Sequence, residues 1–175
     1  MTRTLHHLDR AFDWVLNALA VTAGVLLIAV MLATVFKVGL RGVAGRGIIG
    51  IDQLSGTAMV YMTFLGAAWV LRHNGHVTLD LVLSSASADV KRRLVVISSL
   101  VGAATCFTLT YYGFSAVQVS ISRGIVVASE LEIPRAIGLV PIPVGAFILA
   151  IEFLRRALAA YRGEYDAPRD VRFEA

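Results

Sequence analysis

Four runs without a charged residue divide the chain, at 14–36, 53–71, 94–122 and 136–151, and the last reaches 154 if Glu152 is accommodated near its end. A membrane-spanning helix needs roughly 20 apolar residues at a rise of about 1.5 Å each. The first three runs meet that length outright. The fourth meets it when its helix begins near Pro134, where proline suits the first turn. The pattern predicts an all-α integral membrane protein with four transmembrane helices over about 14–36, 53–71, 94–120 and 134–156, set in a single membrane domain of residues 1–161.

The intervening segments refine that picture. Residues 1–13 form a polar lead-in whose Asp9 and Asp13 suit the positive end of the first helix dipole. The first run is too long for the 7–15 apolar residues typical of a signal peptide, and Thr34-Val35-Phe36-Lys37 is no small-residue cleavage site, so a retained helix is expected. Glycine at 39, 42, 45, 47 and 50 predicts irregular backbone over 38–51. His73-Asn74-Gly75-His76 reads as a helix stop. The segment 77–83, apolar except for Thr78 and Asp80, then predicts a short helix lying in the cytoplasmic interface after the second span. Lys91, Arg92 and Arg93 anchor the start of the third span among headgroups. Pro141 and Pro143 each remove a backbone donor, which predicts a kink or a late start in the fourth. Residues 162–175 alternate charges without apolar periodicity and are expected to be a disordered cytoplasmic tail.

Composition agrees: 57% of the residues are hydrophobic and 16% charged, against about 25% charged in soluble domains. The distribution of cations changes the picture more. With four spans both termini share a side, and that side holds eleven Lys and Arg against five on the other. The positive-inside rule therefore puts both termini in the cytoplasm. The net charge of +4 follows from these flanking cations and gives no reason to invoke nucleic acid. Cys106 stands alone inside the third span, so neither a disulfide framework nor a thiolate cluster is available.

Candidate chemistry is sparse. Gly45-Arg46-Gly47-Ile48-Ile49-Gly50 matches the dinucleotide fingerprint in letters, but it joins two spans and lacks the βαβ context that the fingerprint needs. His73, His76 and Asp80 have metal-ligand spacing on a helix, yet Asn74-Gly75 interrupts that helix. Haem held by two histidines needs them within the spans, and His6, His7, His73 and His76 all lie outside. No cofactor or metal is expected. Ionisable groups within a span usually mark function; the nearest here is Glu152, which Arg155 and Arg156 at i+3 and i+4 would neutralise locally. Ala20-x-x-x-Gly24 and Gly102-x-x-x-Cys106 let helices approach closely, and they suit either the internal bundle or a partner helix. The chain has no internal repeat, which argues against a self-contained inverted-repeat transporter. Nothing points to an enzyme.

Asp52-Gln53-Leu54, Phe64-Leu65-Gly66-Ala67-Ala68, Leu71-Arg72 and His76-Val77-Thr78-Leu79-Asp80-Leu81 together resemble the small membrane subunit, the DctQ-like small permease, of tripartite ATP-independent periplasmic (TRAP) transporters. Ile133-Pro134 and Val140-Pro141-Ile142-Pro143-Val144-Gly145 are similar to the start of that family's fourth helix, while Ile51 and a lone Asp52 depart from its usual tryptophan and paired acids. The resemblance implies a scaffold or accessory subunit, without substrate contacts of its own. It would support a large membrane subunit in sodium-coupled uptake of an organic acid delivered by a periplasmic binding protein. Contacts with these partners are expected at the motif residues Asp52, Gly66, Arg72, His76 and Asp80, and at Arg41, Arg46, Arg123, Glu130 and Glu132 in the periplasmic loops. The competing reading is a membrane anchor for a redox or assembly complex, without a cofactor of its own.

Overall fold

The computed structural model describes residues 2–45, 48–73, 88–127 and 131–162, with the side chains of residues 2–11, 44, 88, 89 and 91 excepted. Five helices follow one another: α1 (Thr2–Ala44), α2 (Ile51–Arg72), α3 (Ala88–Ser122), the short α4 (Arg135–Leu139) and α5 (Pro141–Arg162). Four segments are long and apolar enough to cross a membrane, the last formed by α4 and α5 together. The described residues contain no strand; Val126 and Pro134 form one isolated bridge. The stretch expected to hold an interfacial helix lies outside the described residues, as does the expected tail apart from Arg162.

Helix α1 is longer than its uncharged run. Its 43 residues, about 65 Å at 1.5 Å each, take in most of the polar lead-in and continue through Gly39 and Gly42. The irregular backbone expected over 38–51 is thus confined to its last part. A helical glycine costs only about 1 kcal/mol relative to alanine, and the valines and leucines around these two carry the helix on to Ala44. It ends where Gly45 turns left-handed, at φ 65°. Gly50, at φ 87°, then leads into α2. The interruption expected from Pro141 and Pro143 falls at Val140, between α4 and α5.

The long helices do not close into a four-cornered bundle. Helix α1 packs on α2, α2 on α5, and α5 on α3, so the four stand as an open row with α1 and α3 at its ends. Small residues set the spacing. At the α2–α5 crossing, a Cβ on Gly145 would stand 2.6 Å from the carbonyl oxygen of Phe64, so only glycine lets the two backbones approach so closely. Pro141, Pro143, Ala146, Ala150, Ala157 and Ala160 complete the buried face of α5. Ala68 and Leu71 answer from α2, and Val95, Ala103 and Cys106 from α3. The larger side chains, among them Leu27, Ile28, Met31, Leu32 and Phe36 of α1, face outward.

Candidate functional site

Most polar side chains that join helices collect at the two ends of the row. At one end α1 is starting, α2 finishing and α5 running toward its last turns. Arg72, the final residue of α2, is held there by its helix beside two acids. Its Nη2 pairs with Asp13 of α1. Its Nη1 lies 3.4 Å from both carboxylate oxygens of Glu152 of α5. Charge-assisted hydrogen bonds usually run about 2.7–2.9 Å, so this second contact is mainly coulombic. Glu152 is the most buried of the three, its side chain 7% exposed against 27% for Arg72 and 43% for Asp13. Arg155, one turn further along α5, adds its positive charge near Glu152 and lies 4.8 Å from the centre of the Phe12 ring. Two acids thus stand among two arginines, which is the compensation a buried carboxylate requires.

Neutral contacts extend this end of the row. The Trp69 indole donates to Asn17 Oδ1 at 3.0 Å, joining α2 to α1. Its ring packs against His73 with centroids 4.2 Å apart. Arg92 at the start of α3 donates from Nε to the Ala160 carbonyl at 2.7 Å, supplying a partner to one of the last carbonyls of α5.

At the opposite end, Lys37 of α1 pairs with Asp52 in the first turn of α2. Gln53 clamps the α3–α4 connection with both halves of its amide: Nε2 donates to the Leu131 carbonyl at 2.9 Å, and Oε1 accepts from the Leu131 amide at 3.0 Å. Tyr61 donates to the Ile137 carbonyl at 2.8 Å. The connection folds back on itself, with the Arg135 amide donating to Ile125 O and the Val127 amide to Ile133 O.

The residues singled out in the sequence fall into three groups. Asp52, Gly66 and Arg72 are engaged within the chain: Asp52 with Lys37, Arg72 with two acids, and Gly66 facing Ala23 of α1 closely enough that a Cβ would stand 3.7 Å away. Arg41, Arg123 and Glu132 are exposed. Arg46, His76, Asp80 and Glu130 lie outside the described residues. The expected compensation of Glu152 by its own helix, to which Arg155 adds its charge, is joined by Arg72 of α2, a partner across the row. The available signal was the position of Arg72, which ends α2 on the side of the membrane toward which α5 runs. The Gln53 clamp left no trace in the sequence.

Residues 30–163 match the family model described as tripartite ATP-independent periplasmic transporters, DctQ component. A comparison with curated proteins gave no match.

Proposed function

Since the chain belongs to the family of DctQ components of tripartite ATP-independent periplasmic transporters, and so is a small subunit of such a transporter, we propose that it serves as a static scaffold for the large membrane subunit. In this reading the large subunit moves an organic acid together with sodium, and a periplasmic protein delivers the acid. The observation that carries the reading is the use made of the polar groups. Arg72, Asp13 and Glu152 are spent on one another, and Gln53, Tyr61 and Trp69 on joining neighbouring helices. A carrier site needs polar groups turned toward a cavity near the middle of the membrane. Here they are turned toward neighbouring helices, and apart from Tyr61 in the middle of α2 they stand near the two ends.

The chain sits in the inner membrane with both termini in the cytoplasm, a reading supported by the bias of eleven cations against five. The Lys37–Asp52 end of the row then faces the periplasm, and exposed Arg41, Arg123 and Glu132 offer charges there to the binding protein. Reconstitution tests the scaffold role. The chain alone in liposomes should give no sodium-dependent uptake of an organic acid. Together with its large partner and binding protein it should support uptake that falls when it is left out. Undiminished uptake without it would sink the reading.

A further inference from the structure

Two grooves open on the flanks of the helix row, and their linings differ in chemistry. The one between α1 and α2 is apolar apart from Ser55, with Leu26, Val30 and Leu54 among its walls. The other lies where the last turns of α3 meet α4, and its volume is about 320 Å³, room for roughly ten water-sized groups at ~30 Å³ each. Arg135 lines it at the level where α3 ends and α4 begins, with Ser120 and Ser115 on the facing side of α3. Val119 lies beside Ser120, and Leu139, Ala116, Ser115 and Tyr112 continue the wall toward the middle of α3. The cation and the Ser120 hydroxyl thus stand at the outer end of the groove, and its deeper wall is apolar and aromatic apart from Ser115.

We propose that this groove binds a phospholipid, with the phosphodiester on Arg135 and the Ser120 hydroxyl and an acyl chain along Val119 and Leu139. The argument is complementarity of charge and of polarity along the groove. Arginine presents several N–H donors in a planar fork suited to phosphate oxygens. No described acid lies within ion-pairing distance of Arg135. A free phosphate would leave the apolar wall uncovered, and a hydrocarbon chain alone would leave Arg135 and Ser120 without a partner. The α1–α2 groove lacks the cation and is the internal comparison. The site is independent of the scaffold reading, because it belongs to the chain by itself.

Native mass spectrometry of the purified chain with dioleoyl phosphatidylglycerol tests it. A retained lipid adduct is expected, with affinity falling about tenfold in Arg135→Gln and also in Leu139→Ser. Arg123→Gln, which removes an exposed cation at the same end but outside the groove, should leave it unchanged. Dioleoylglycerol, without phosphate, and inorganic phosphate, without chains, should each fail to displace the lipid. Equal binding by wild type and Arg135→Gln would overturn the proposal, as would displacement by inorganic phosphate, which would mark a simple anion site. A second measurement does not depend on the variants folding. A phosphatidylglycerol carrying a photoreactive acyl chain should label wild-type peptides containing Val119 or Leu139, both in the chain alone and in the complex with its large subunit. Labelling confined to other helices would overturn the proposal. So would loss of labelling on assembly, which would mean that a segment of the large subunit fills the groove.

Discussion

Helices α1 and α5 carry the first and last spans, and they treat their apolar surfaces in opposite ways. In the most apolar stretch of the first, 6% of residues are buried within the protein; in that of the last, 33% are. In a water-soluble protein, so long an apolar stretch would be packed inside. Here α1, the longest apolar helix, is among the least covered, because lipid chains solvate Leu and Phe as well as a protein interior does. What α5 buries is small or polar: Pro141, Gly145, Ala146, Ala150, Glu152, Ala157 and Ala160. Apart from a few larger side chains such as Leu16 and Leu71, burial in this protein follows small side-chain size and the need for a polar partner. Close backbone approach and paired charge therefore hold the row, and the difference between α1 and α5 gives a scale on which substitutions can be ranked.

The largest effect is expected at the α2–α5 crossing. A methyl group at position 145 would press on backbone atoms of Phe64, which cannot swing aside as a side chain can. Gly145→Ala should force the helices apart and cost about 1–3 kcal/mol or more, the usual range for overpacking. A methyl group at Gly24 of α1 would meet nothing within 4 Å. Gly24→Ala should be neutral, or stabilising by up to about 1 kcal/mol through helix propensity. Unfolding of the two variants in mixed micelles checks both, and the comparison breaks if Gly145→Ala is as stable as the parent.

Next comes the charged cluster. Glu152→Ala leaves Arg72 with Asp13, which is 43% exposed and partly hydrated. Breaking a buried pair costs about 3–5 kcal/mol, and the remaining carboxylate should reduce that to about 2 kcal/mol. Asp13→Asn, at the more exposed arm, should cost about 1 kcal/mol or less. Replacing Arg72 and Glu152 together by methionine should be milder than Glu152→Ala alone, since no charge is then left half-paired. Purely additive losses in that double-mutant cycle would show that the two residues do not interact.

How far the sequence reveals this arrangement depends on which solvent each feature meets. The four spans are legible because a bilayer demands about 20 residues without charge, and the left-handed turns at Gly45 and Gly50 are legible because few other residues adopt them. The continuation of α1 through Gly39 and Gly42 is not, since two helical glycines are weak stops when aliphatic residues surround them. The order of the row is also hidden. Every span is apolar all round, so no stripe of hydrophobicity marks the face that packs. Glu152 is legible only in part for a related reason. Arg155 and Arg156 supply cations at helical spacing, while Arg72 lies eighty residues earlier in the chain and meets Glu152 only through the α2–α5 packing. At the candidate site, Asp52, Gly66 and Arg72 stand out by residue type, but type alone does not say that their partners belong to the same chain.

A smaller effect separates inward from outward leucines of α1 itself. Leu16 is 1% exposed and Leu32 59%. Leu16→Ala should leave a cavity against its neighbours, and the water-soluble range of about 2–5 kcal/mol is an upper bound, because detergent or lipid receives the exposed chain in the unfolded state. Leu32→Ala should change the isolated chain by less than about 0.5 kcal/mol, as exposed substitutions usually do. If the outward face of α1 meets the large subunit, the Leu32 variant should instead weaken copurification with that partner. Equal losses at Leu16 and Leu32 in the isolated chain would remove the distinction between packed and solvated faces.

The smallest expected effect lies at the other end of α1. Helix α1 is fastened to α2 by polar contacts near both its ends, Asp13 and Asn17 at one and Lys37 at the other. The two ends differ in exposure. Asp52, the partner of Lys37, is 78% exposed, whereas Glu152 behind Arg72 is 7% exposed. An exposed ion pair is worth about 0–1 kcal/mol, and salt screens it over a Debye length of about 8–10 Å at physiological ionic strength. Lys37→Met should therefore cost less than about 1 kcal/mol, and the cost should vanish as salt is raised toward 1 M. The cost of Glu152→Ala should persist over the same range, since the low-dielectric surroundings of that carboxylate exclude the screening ions. Unfolding each variant at low and high salt separates the two ends of the row. A salt-insensitive loss at Lys37 would mean that this pair is shielded from water, and that α1 is gripped equally at both ends.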